Sequence, residues 1–138
     1  MHDEAQRGVA RHPAIGNLFG LAWLAVVELD IFEIVRAAGF KVELGGKPQR
    51  HLGECATLAV AGARTATAVL DDYDARTIAE REGIAVAGSL SLVARGVSTN
   101  VLDLAAASRL VDDLLGTEMR LPTDGATFPD WAKANGLL

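Results

Sequence analysis

From position 68 to 76 the chain reads Ala-Val-Leu-Asp-Asp-Tyr-Asp-Ala-Arg, an apolar run that stops abruptly in acids and passes at once into polar residues at helical spacing. That is the pattern of a buried strand delivering a turn and a helix. It recurs. Residues 23–29 are apolar and β-branched, with Asp30 placed to cap a helix that runs through Ala38 to a stop at Gly39. Residues 84–87 form a third apolar run, which leads through Gly88-Ser89 into another helical segment. Strands alternating with helices, and apolar throughout, predict an α/β fold: a parallel sheet in a three-layer α/β/α domain.

The remaining segments fit between these elements. Residues 3–11 read as the tail of a helix, with Pro13 stopping it or starting the next turn, and residues 14–19 as a short helical piece ending at Gly20. Gly45-Gly46-Lys47-Pro48 is the clearest loop. Residues 52–63 are apolar nearly all round, as expected of a helix lying between the sheet and its neighbours. The helix over 74–82 buries Ala75, Ile78 and Ala79 and ends at Gly83. Val101, Leu104, Ala105, Val111, Leu114 and Leu115 mark an amphipathic helix closed by Gly116, and a small helix surrounds Trp131. Domains of this class open with a strand that becomes central, whereas this chain opens inside a helix. The expectation is an unusual fold or a first βα portion outside this sequence.

Composition bounds the function. The 138 residues suit one domain, and with 50% hydrophobic but only 5% aromatic residues the core must be built from Ala, Leu and Val. Cys55 is the single cysteine, so no internal disulfide forms, and Cys/His zinc spacing is absent, which fits a reducing cytoplasm. The first residues are charged, unlike a signal peptide, and every apolar run breaks short of the roughly 20 residues a membrane helix needs. A net charge of −5 argues against broad, non-specific nucleic-acid binding while leaving room for a local basic rim.

In a parallel α/β sheet, ligands bind beyond the carboxyl ends of the strands. Acids gathered there repel one another unless a cation joins them. Asp71 and Asp72 stand at such an end, and Glu54 heads the apolar run Cys55-Ala56-Thr57-Leu58-Ala59-Val60-Ala61. Hard oxygen donors select Mg²⁺ or Mn²⁺. The competing explanation is a solvated strand–helix junction whose aspartates cap the next helix, and it suffices for an Asp-Asp pair taken alone.

Three stretches, Gly53-Glu54-Cys55-Ala56-Thr57-Leu58-Ala59, the acidic run over 68–76, and Gly83-Ile84-Ala85-Val86-Ala87-Gly88-Ser89-Leu90-Ser91-Leu92, resemble in order and spacing the PIN-domain ribonucleases, in the branch related to toxins of bacterial toxin–antitoxin pairs. The resemblance covers residues 3–92. It implies a single PIN-like domain over 1–138, with 1–92 as the family-like core and 93–138 as a helical extension. It further implies a Mg²⁺- or Mn²⁺-dependent endoribonuclease that takes RNA, an antitoxin protein as a possible partner, and a homodimer. The catalytic acids would be Glu4, Glu54 and Asp72, and the metal ligands Glu54, Asp72, Asp71 and Glu4, with Asp3 as the fallback for Glu4. The departures are specific. The family's first-strand Asp has no counterpart here, Cys55-Ala56 follow Glu54 where the family has a second acid, and Ser89 replaces a Thr. Without the first-strand Asp, a non-catalytic PIN remnant that binds a partner protein is the main alternative.

The neighbouring residues carry ordinary expectations. Asp74 reads as the N-cap of the helix rather than a ligand. Arg76 either meets phosphate or pairs with an aspartate. Arg50 and His51 read as a solvated loop, Cys55 as an inert core thiol, and Trp23 and Trp131 as packing anchors. Two rival enzymes fit worse. Asp72-Tyr73-Asp74 resembles the Asp-x-Asp of haloacid-dehalogenase-type phosphatases, but Arg76 stands where those have Thr or Val, and the motif lies too deep in the chain. A receiver domain needs a late Lys beyond a strand, and Lys133 lies in the tail.

Overall fold

The computed structural model describes residues 2–117 and 119–138; the side chains of His2, Asp3, Glu4 and Arg7 lie outside the described set. The elements, in order, are helix α1 (His2–Val9), a 3₁₀ segment (Pro13–Gly20), α2 (Ile31–Leu44), α3 (Leu52–Arg64), strand β1 (Ala68–Val69), α4 (Tyr73–Arg81), β2 (Val86–Ala87), α5 (Ser89–Ser98), α6 (Leu104–Leu115) and α7 (Phe128–Ala134). The chain divides into two compact units, 1–86 and 87–138. No helix among the described residues is long and apolar enough to cross a membrane.

The fold is α/β, but helix dominates. The described sheet has two short strands, β1 paired in parallel with β2 and joined to it through α4, where three full layers were expected. The expected strand over 23–29 does not form. Trp23 lies in a turn that the Leu24 amide closes on the Leu21 carbonyl, residues 24–29 carry no regular structure, and Trp23, Leu24, Val26 and Val27 are exposed. A strand is a property of a pair, and an apolar β-branched run makes one only where a neighbour meets its backbone groups. Trp23, expected as a packing anchor, is 77% exposed.

In the first unit, α2 and α3 pack as an antiparallel hairpin. Asp30 caps α2 as expected, and it does so within a reciprocal capping box. The Glu33 amide donates to Asp30 Oδ1 (2.8 Å), and the Asp30 amide donates to Glu33 Oε2 (2.9 Å). The helix runs past Gly39 to end at Gly45, whose positive φ of 62° only glycine adopts readily and whose amide donates to the Lys41 carbonyl. Gly39 does not stop the helix because a mid-helix glycine costs only about 1 kcal/mol, and Phe40 beyond it is buried in the core. The Glu33 side chain is only 2% exposed. Arg64, at the far end of α3, grips it with two donors, Nε to Oε1 (2.6 Å) and Nη2 to Oε2 (2.8 Å). Arg64 Nη2 also reaches the carbonyl of Glu28 (2.9 Å). A buried carboxylate is tolerated when it is paired and hydrogen-bonded in this way.

Around the hairpin, Phe40, Cys55, Leu58, Ala59 and Ala61 meet Ala68 and Leu70 of the β1 segment and Ala75, Ile78 and Ala79 of α4. The three α4 residues are the ones its periodicity marked for burial. The small side chains of α3 let α2, β1 and α4 approach it closely.

In the second unit, α5, α6 and α7 enclose Leu90, Val93, Ala94, Ala107, Val111, Phe128 and Ala132. Asp103 caps α6 through the Ala106 amide, so this helix begins after Val101, which is exposed. Asp112 accepts the Gly125 amide at 2.7 Å. A Cβ at Gly125 would fall 2.3 Å from the Ser108 carbonyl oxygen, so only glycine lets the loop lie this close. Trp131 stacks on Phe128 at 6.3 Å between ring centroids, a packing role as expected.

Two consequences are testable by chemical denaturation. Leu58 is fully buried, so Leu58→Ala should cost about 2–5 kcal/mol, whereas Val42→Ala, at an 84%-exposed position, should change little. The Arg64 guanidinium, then the Asp30 amide, hold the Glu33 carboxyl down at about 2 from an ordinary 4.5. A depressed folded-state value means that this contribution is complete above pH 4.5 and is lost as pH falls toward 2. Glu33→Gln should therefore flatten the acid limb of the stability profile. A profile with the wild-type slope would show that the pair contributes nothing.

Candidate acidic site

Two helix starts carry the acidic residues. Glu54 lies half-buried in the first turn of α3, where the exposed amides and the helix dipole favour a negative charge. Asp72 stands at the start of α4 with extended backbone (φ −67°, ψ 126°), and its Oδ1 accepts the Ala75 amide at 2.9 Å. The N-cap is therefore Asp72, and Asp74 falls inside the first turn, the reverse of the expectation. β1 ends at Val69, so the chain is still extended at Asp72 and turns helical one residue later. Only an extended residue directs its carboxylate back onto the helix amides.

His51 ties the two starts together. It precedes α3 in left-handed conformation (φ 62°, ψ 14°), a geometry that costs a non-glycine residue roughly 1–2 kcal/mol. Its side chain is only 8% exposed, with Nδ1 4.0 Å from Asp72 Oδ2. The solvated-loop reading of His51 is thus corrected: the imidazole is packed between the N-termini of α3 and α4. Arg50 beside it is exposed, as expected of loop. No sequence signal marked His51, because nothing in its residue type or spacing tells a loop histidine from one turned inward by a left-handed backbone.

The other candidates distribute as follows. Asp71 is exposed at the end of the β1 segment. Glu4 lies in α1 with its side chain outside the described residues, as is that of Asp3. Arg76 is half-buried on α4 and makes no ion pair with an acid among the described residues. Ser89 opens α5 in the second unit. Burial pushes the Cys55 thiol up, consistent with an inert core residue. Among the described residues, no three His, Cys, Asp or Glu side chains are gathered to hold a metal.

Capping and ligand roles of Asp72 separate by substitution. Asn caps as well as Asp, so Asp72→Asn should leave stability within a few tenths of a kcal/mol, while Asp72→Ala should lose about 1 kcal/mol. Thermal unfolding of the two variants checks this; equal losses would mean that the Ala75 hydrogen bond is not what holds α4.

A family model described as a PIN domain matches residues 2–127. No curated protein and no solved structure matches significantly. The matched stretch takes in the Glu54 helix start, the β1–α4–β2 segment with its Asp71-Asp72 pair, and most of the second unit. The chain belongs to the PIN-domain family.

Proposed function

We propose that the protein is a metal-dependent endoribonuclease of the PIN type, acting in the cytoplasm as the toxin of a toxin–antitoxin pair, with RNA as substrate and an antitoxin as protein partner. The observation that supports the reading is the approach of His51 to Asp72, which draws the Glu54-bearing turn of α3 toward the start of α4. Glu54 and Asp72 are the principal acids, with Asp71 and Glu4 as further ligands.

The donor set suits Mg²⁺ or Mn²⁺. These ions need only one or two carboxylates because they retain several waters, so the pair suffices even though no three-residue cluster is gathered among the described residues. Asp72 commits Oδ1 to the α4 cap while Oδ2 faces His51. Glu54 and Asp72 would hold such a cation, which would supply Lewis-acid activation of water and charge neutralisation at a phosphate. The chain's own contribution is to fix the carboxylates. The cap orients Asp72 through Oδ1, and His51 faces its Oδ2.

The alternative reading is a non-catalytic PIN module that binds a partner protein.

Calorimetry and an RNA-cleavage assay with Mn²⁺ decide between the two. The wild type should bind Mn²⁺ weakly, at about millimolar, and Glu54→Gln and Asp72→Asn should each reduce binding and lower cleavage by about a hundredfold or more. Equal Mn²⁺ affinity in all three proteins with no cleavage would remove the metal site and leave the binding module.

A further inference from the structure

His51 stands where a helix is ordinarily capped and caps nothing. It is the N-cap residue of α3, yet its side chain makes no hydrogen bond to the first-turn amides. N-cap residues are ordinarily extended, whereas His51 is left-handed. Among the described residues two other non-glycine residues share that backbone, Thr65 and Asn100. Both follow the end of a helix, where a left-handed residue serves to close it. At the start of α3 the same geometry turns the imidazole inward instead. The side chain is only 8% exposed and aims Nδ1 at Asp72 Oδ2, 4.0 Å away. Neither ring nitrogen has a hydrogen-bond partner among the described residues.

We infer that His51 Nδ1 and Asp72 Oδ2 are the two protein donors to one cation, and that this imidazole–carboxylate pair takes a transition-metal ion in preference to Mg²⁺. The inference rests on the metal-dependent reading above for Asp72 as a ligand, and adds a nitrogen donor that decides the metal. The gap between the two atoms carries it. A hydrogen bond or contact ion pair closes to about 2.7–3.2 Å, and this pair does not close. Two donors held at about 2.0–2.2 Å from one cation stand roughly 3 Å apart when adjacent around it and about 4.2 Å when opposite. A separation of 4.0 Å is one that a single ion spans. Oδ2 is the oxygen that the α4 cap leaves unused, since Oδ1 accepts the Ala75 amide. The Asp72 side chain is 30% exposed, which leaves a cation a way in. Glu54 is not gathered with the pair into a three-residue cluster among the described residues, so waters complete the coordination and binding is weak. The imidazole sets the selectivity, because Mg²⁺ keeps to oxygen donors while a neutral ring nitrogen suits Zn²⁺ and other transition metals. With its proton on Nε2, the ring presents the Nδ1 lone pair to the ion.

The test reads the bound metal itself and needs no RNA cleavage. Mn²⁺ on the full wild-type chain should show coupling to an imidazole nitrogen in pulsed electron paramagnetic resonance. His51→Asn installs a residue that tolerates left-handed backbone. It should abolish that coupling, as should Asp72→Asn, while His12→Gln, at an exposed position, should leave it. Circular dichroism checks that each variant is folded. By calorimetry the wild type should hold Zn²⁺ more tightly than Mn²⁺, and Mn²⁺ more tightly than Mg²⁺. His51→Asn should weaken Mn²⁺ binding about tenfold or more and leave Mg²⁺ binding nearly unchanged. Bound Mn²⁺ without nitrogen coupling, or coupling that survives His51→Asn, would overturn the inference; if Asp72→Asn still loses Mn²⁺, the carboxylate site stands without His51. Nitrogen coupling that depends on His51, in a protein that cleaves no RNA, would uphold the metal pair and remove the nuclease reading. A wild type that binds no Mn²⁺ would overturn both.

Discussion

The buried carboxylate of Glu33 is the constraint on which the first unit depends. It accepts from the Asp30 amide and from Arg64, and Arg64 reaches on to the Glu28 carbonyl. One side chain thus closes the start of α2, joins it to the end of α3, and secures the extended segment that leads in. Removing Arg64 strands the Glu33 carboxylate at a buried position, which costs far more than an exposed ion pair gains. Because the pair fixes the rotation of α2, it also decides which face of the helix turns outward. The exposed apolar residues from Ile31 to Val42 lie on the opposite side of the helix from Glu33 and Phe40.

Much of this was legible in the sequence, for local reasons. Asp30 reads as the N-cap of α2, the spacing of Ala75, Ile78 and Ala79 gives the buried side of α4, and Gly116 closes α6 as expected. What the sequence concealed depended on distant partners. The run over 23–29 has strand composition, but composition does not supply a neighbouring edge. Gly39 looks like a helix stop until the burial of Phe40 and the positive φ of Gly45 carry the helix on. Arg64 as the partner of Glu33 lies 31 residues away, with no periodic signal to connect them.

The placement of the candidate acids was legible to the same degree. The sequence singled out Glu54 and Asp72 because each acid stands at the start of an element, and both stand there in the fold. It could not reveal which aspartate caps α4, since Asp72 and Asp74 are both suitable residue types and the choice follows from where the backbone turns. Nor could it reveal His51, whose inward position follows from a single left-handed residue.

The capping role of Asp72 and its proposed ligand role reinforce each other. A carboxylate free to rotate would lose conformational freedom on binding a cation and would hold it loosely. The hydrogen bond from the Ala75 amide fixes Oδ1, and with it the plane of the group, so that Oδ2 has a defined direction before any ligand arrives. The cap position belongs to Asp72, which is half-buried where Asp71 is exposed. Of the adjacent pair, Asp72 is therefore the one whose geometry the fold prepares. The buried imidazole of His51 reinforces this, because its Nδ1 faces the oxygen that the cap does not use. His51 immediately precedes α3 and faces the carboxylate that opens α4, so this one approach relates the two helix starts.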